Sequence, residues 1–113
     1  MIWTTSVIDK LIDSGAPIEQ QAAINSKLAL LVRLCGEHVP YAPAPLVEWN
    51  DNDQSLHLAW FWKKQNRTYT LRAGANGALE SLLLAREVWV EKANPTDEEI
   101  TQHVLTFFEG YSP

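Results

Sequence analysis

The chain is short of the residues that would mark it for a specialised class. It carries one cysteine in 113 residues. Cys35 therefore has no internal disulfide partner, and an unpaired thiol suits a reducing cytosol. Long apolar runs are also missing: stretches such as residues 28–32 and 82–85 fall far short of the roughly 20 residues that cross a bilayer. The start, Met1-Ile2-Trp3-Thr4, lacks a basic region, an apolar core and a small-residue cleavage site, so no secretory leader is expected. These absences predict a cytoplasmic protein with no membrane association.

Positive charge is scarce as well. Nine Lys and Arg face fourteen Asp and Glu, a formal charge of −5, which repels a phosphate backbone and makes nucleic acid a poor partner. No phosphate loop, dinucleotide-binding glycine pattern, metalloprotease His-Glu pair or nucleophile elbow occurs. The three histidines, His38, His57 and His103, stand apart from one another at no ligand spacing, and a single cysteine builds no structural zinc site. Neither a metal nor a cofactor is expected, and a non-catalytic role is favoured over an enzymatic one.

What is present reads as an ordinary folded chain. A hydrophobic share of 46% with 20% charged residues matches globular proteins, and the length fits one domain spanning residues 1–113. Ser6 could cap a short helix carrying Val7, Ile8, Leu11 and Ile12, closed by Gly15. Pro17 suits the first position of a second helix, where Ile24, Leu28, Leu31, Val32 and Cys35 recur at helical spacing until Gly36. Three prolines between Val39 and Leu46 then exclude helix and favour a stiff extended connector.

From Leu46 the period becomes two. Val47 and Trp49, then Leu56, Leu58, Trp60 and Trp62, then Tyr69 and Leu71 mark three strands with one apolar face each. Asn76-Gly77 is the preferred pair for a two-residue type I′ hairpin. With Ala75 opposite Ala78, Leu71 faces Leu82 and Tyr69 faces Leu84. A fourth strand runs on toward Val88, Trp89 and Val90, interrupted at Arg86 and Glu87 by a bulge or a break. Thr96-Asp97-Glu98-Glu99 is a capping box that opens a last helix with Ile100, Val104, Phe107 and Phe108 on its apolar stripe. The expected fold is α+β: an N-terminal helical hairpin, a four-stranded antiparallel meander, and a C-terminal helix packed on the sheet.

Two surface constellations follow from the alternation. Phe61 and Leu83, with Ala59, Arg72 and Trp89, fall on the sheet face away from the tryptophan-rich side, and an aromatic centre with a polar rim is typical of an interaction patch. That patch is exposed only if no helix covers it. Separately, Trp49 opposite Leu56 and Trp62 opposite Arg67 set Glu48 beside His57 and His57 beside Arg72. This trio could orient an imidazole as a general base, or be a row of ordinary cross-strand polar pairs.

Other features have plainer readings. Cys35 lies near a helix C-terminus, where the dipole disfavours a thiolate, and within an apolar stripe, as a structural cysteine would. The Lys63-Lys64 tip beside Trp62 reads as a solvated hairpin end rather than a nucleic-acid clamp. Asp51 and Asp53 lack the spacing of a calcium loop. The expected function is protein–protein interaction, as in a small inhibitor, immunity or antitoxin-like protein, with another protein or a second copy as partner. The alternative is a binder of a small apolar or cationic ligand in an aromatic-lined pocket between sheet and helices.

Overall fold

All three helices lie on one side of an antiparallel sheet in a computed structural model that describes residues 1–112. Helix α1 spans Thr4–Asp13 and α2 spans Ile18–His38. The strands are β1 (Leu46–Asn50), β2 (Ser55–Trp62), β3 (Arg67–Ala73), β4 (Leu79–Ala85) and β5 (Val88–Ala93), and α3 (Asp97–Phe107) closes the order. The sheet runs β1-β2-β3-β4-β5, so every strand pairs with its neighbour in sequence. The α+β class and helical hairpin are as expected, with five strands in place of four.

The fifth strand arises where the sequence suggested an interruption. Arg86 (φ 53°) and Glu87 (φ 64°) both take left-handed backbone, and Ala85 pairs with Val88 across them. This is a two-residue hairpin of the type I′ kind, made without the Asn or Gly that usually announces one. The chain therefore reverses at Arg86-Glu87, and Val88–Ala93 returns as an edge strand.

The Asn76-Gly77 turn also forms, with φ of 62° and 72° and the Ala78 amide donating to the Ala75 carbonyl. Its register differs from the expectation. The Gly74 amide donates to the Ala78 carbonyl at 2.9 Å, so Gly74 and Ala75 together oppose Ala78 as a bulge. One extra residue shifts every later pair by one: Tyr69 meets Leu83, Leu71 meets Ser81 and Thr70 meets Leu82. Gly77 has a second reason to be glycine, because a Cβ there would stand 3.0 Å from the Glu19 carbonyl oxygen at the start of α2.

The core lies between helices and sheet. Ile24, Leu28, Leu31 and Cys35 of α2 and Ile100, Val104 and Phe107 of α3 bury their stripes against Leu56, Leu58, Trp60, Tyr69, Leu71 and Leu83. Buried Gln20 fastens α2 to the sheet's end, its amide donating to the Gln54 and Ala73 carbonyls. The proline connector is held by two indoles: Trp3 donates to Ala42 and Trp60 to Pro43. Aromatic edges fill the far end, with Trp60 5.2 Å from Phe108 and Phe107 4.7 Å from Phe108 between ring centres.

Helix ends follow local chemistry, with some shifts from the sequence reading. The Thr96 hydroxyl accepts from the Glu99 amide while the Glu99 carboxylate accepts from the Thr96 amide, the capping box expected for α3. Helix α1 begins earlier than Ser6, after Trp3, and α2 continues through Gly36 to His38, with Pro17 preceding its first turn. Among the described residues no helix is long and apolar enough to cross a membrane.

Candidate functional site on the helix-free sheet face

Because the helices share one side, the alternate strand residues face away from them. Cross-strand pairing sorts these into rows. Phe61, Thr68, Leu84 and Trp89 form one; Leu46, Ala59, Thr70, Leu82 and Glu91 form the next; Glu48, His57, Arg72, Glu80 and Ala93 form the third. Phe61 is 56% exposed and Trp89 52%, while Ala59 and Thr70 at the sheet's centre are buried. Leu82 and Leu84 are half-buried between them.

Of the patch read from sequence, Phe61, Ala59, Arg72 and Trp89 share this face. Leu83 does not. The bulge at Gly74-Ala75 turns it inward, where it is 5% exposed opposite Tyr69. Leu82 and Leu84, which the expected register had hidden, take its place, and Leu46 extends the apolar surface to β1.

The polar row contains Glu48, His57 and Arg72 side by side, as the strand pairing predicted. It is tied together by residues not singled out with them. The Arg72 guanidinium donates to Glu80 and, at 3.2 Å, to Asp53. Ser55 Oγ contacts both Asp53 and His57 Nε2, the latter at 2.6 Å. Spacing could have revealed part of this, since Asp53, Ser55 and His57 recur every second residue. Glu80 was concealed by the one-residue slip.

Proton bookkeeping limits what the cluster does. The Asp53 carboxylate only accepts, so the single Ser55 proton goes to it and His57 Nε2–H donates to Ser55. The serine is then neither aimed at a basic nitrogen nor exposed, since it is fully buried. The Ser55 hydrogen bond, followed by the Arg72 contacts, holds the Asp53 carboxyl below its usual range. Partial burial lowers the His57 pKa, opposed by Asp53 and Glu48. These groups buttress an open sheet surface.

A second polar network lies inside. Ser81 Oγ is 2.9 Å from the Tyr69 hydroxyl and 2.8 Å from His103 Nδ1, where α3 meets the sheet. Burial lowers the His103 pKa and raises that of Tyr69. Cys35 is fully buried, and burial pushes its thiol up to about 11. Between sheet and helices the rings pack edge to face on one another. One open groove of about 250 Å³ lies between α1 and α2, lined by Ile8, Ile12 and Ile18 among others, and another of about 350 Å³ lies between the start of α2 and the end of the sheet, lined by Gln20, Trp49 and Gln54 among others.

Comparison with known protein families, curated proteins and solved structures finds no match to this chain.

Proposed function

We propose that this protein is a non-catalytic binding module that docks another protein on the helix-free face of its sheet. The observation that carries this reading is the row Phe61-Thr68-Leu84-Trp89, which keeps two large aromatic side chains more than half exposed while every helix packs on the other side. Exposed aromatic residues on a partly polar surface are what protein interfaces concentrate, and exposing them has no benefit to the fold. A role as a small inhibitor, immunity or antitoxin-like protein fits such a surface. The single buried, un-ionised cysteine supports a reducing setting such as the cytoplasm.

The test is affinity capture from cells of the source organism with wild type, Phe61→Asp, Trp89→Asp and, as a helix-side control, Ile12→Asp. One protein retained in stoichiometric amount by wild type and Ile12→Asp, and lost by both sheet variants while they remain folded by circular dichroism, supports the reading. Retention by the sheet variants, with loss on Ile12→Asp, would transfer the function to the helical face.

A further inference from the structure

Resting on the docking face just proposed, we infer that its partner is a basic protein, one that presents an apolar centre flanked by Lys or Arg. The charges of the face point there. On the strands of the face Glu48, Glu80 and Glu91 are three carboxylates and Arg72 is the one cation; in the connecting turns Asp53 adds a carboxylate, while Lys63, Lys64 and Arg86, the last paired with Glu109, lie at the Phe61 end. Arg72 is spent on Asp53 and Glu80. Glu48 and Glu91 have no cationic partner among the described residues, and Glu91 instead accepts from the Trp89 indole at 2.6 Å, fixing that ring beside a carboxylate.

Geometry selects a protein over smaller cations. Glu48 stands on β1 and Glu91 on β5, the two edges of the sheet. Four strand spacings separate them, about 19 Å at roughly 4.8 Å each, with Ala59, Phe61, Leu82 and Leu84 on the strands between and Leu46 and Trp89 on the edge strands beside them. A small ligand seeks a concave site that encloses it, and this surface is open. Charge also argues against a second copy, since a two-fold dimer through this face would bring two acidic surfaces together. Cations at the two edges and an apolar body between them complement what is displayed.

Panning a random-peptide phage library on the intact protein, with counter-selection on the uncharged variants Phe61→Ser and Trp89→Ser, tests this. Both variants keep the protein's charge, so clones held by acidity alone are discarded. The expected survivors are rich in Lys and Arg, bind more weakly at high salt, and lose about fivefold in affinity to the Glu48→Gln/Glu91→Gln double variant, as two rim ion pairs would give. Survivors that are neutral or acidic, or indifferent to the glutamine changes, overturn the basic partner and leave the docking face standing. A selection that yields no clone distinguishing wild type from the serine variants overturns both.

Discussion

His103 Nδ1 lies 2.8 Å from Ser81 Oγ, and this hydrogen bond ties α3 to the middle of the sheet. The imidazole is buried, and burial holds its pKa below the ordinary 6.5, with Glu99 opposing and Lys92 adding to the shift. A lowered folded pKa means the unfolded chain binds the proton first, so stability is full above about pH 6.5 and falls as pH drops through that value toward the folded one. His57 shifts in the same direction. Urea unfolding should therefore show a stability loss beginning near pH 6.5, and His103→Gln should remove part of it. An unchanged pH slope in that variant would assign the loss to His57.

Phe107 is 1% exposed and meets both Phe108 and Trp62 edge to face. Its truncation to alanine leaves a cavity at the end of the core, and the expected cost is about 3–5 kcal/mol by denaturant unfolding. A near-neutral result would show that α3 contributes little to the folded state.

Arg67 closes the C-terminal end of α3. Its guanidinium donates to the carbonyls of Thr106, Phe107 and Glu109 and stacks 5.1 Å from the Trp62 ring centre. Thr106 and Phe107 belong to the last turn of α3 and Glu109 lies just beyond it, so one cation supplies both hydrogen bonds and a favourable charge at the helix's negative end. Arg67→Ala should cost about 1.5–3 kcal/mol and speed amide exchange in the last turn, while Arg67→Lys recovers only part. Equal exchange in all three proteins would refute the cap.

The β4–β5 turn holds two ordinary residues in left-handed backbone. Replacing Arg86-Glu87 by Asn-Gly removes that strain at about 1 kcal/mol per residue and sacrifices the exposed Arg86–Glu109 ion pair, which is worth less. The double variant should gain about 1 kcal/mol, seen as a rise of several degrees in Tm. A fall in Tm would mean the ion pair outweighs the strain.

Cys35 offers a direct reading of opening. Fully buried, with its thiol pushed up to about 11, it should resist iodoacetamide in the native state at neutral pH and react on unfolding. Rapid labelling without denaturant would reveal local opening around the C-terminal part of α2.

Much of this architecture is legible in the sequence where side chains and backbone agree. The Thr96 and Glu99 pair marked the start of α3, and the alternation of Trp49, Leu56, Trp62 and Tyr69 aligned β1, β2 and β3 correctly, bringing Glu48, His57 and Arg72 into one row. The rest depended on backbone choices with weak sequence signals. Asn76-Gly77 announced its turn but not the bulge beside it, and that bulge turned Leu83 inward and brought Glu80 opposite Arg72. Arg86-Glu87 marked an interruption but not a turn, because the hairpin is imposed by the pairing of Ala85 with Val88 rather than by its own residues. The helix-free face is a tertiary outcome: which side three helices choose is decided by packing across the whole core.

The strand order also sets a timetable for synthesis. Each strand hydrogen-bonds only to the one made just before or after it, so the sheet can assemble in the order it leaves the ribosome. Helix α2 cannot be covered so soon. Its buried stripe of Ile24, Leu28, Leu31 and Leu34 ends before His38, whereas its sheet contacts in β2 and β3 finish at Ala73. At roughly 5–20 residues per second the nascent helix waits about 2–7 s with its apolar side open. During that interval the chain is most exposed to trigger factors, chaperones and its own misassembly, and the meander that follows is what ends the exposure.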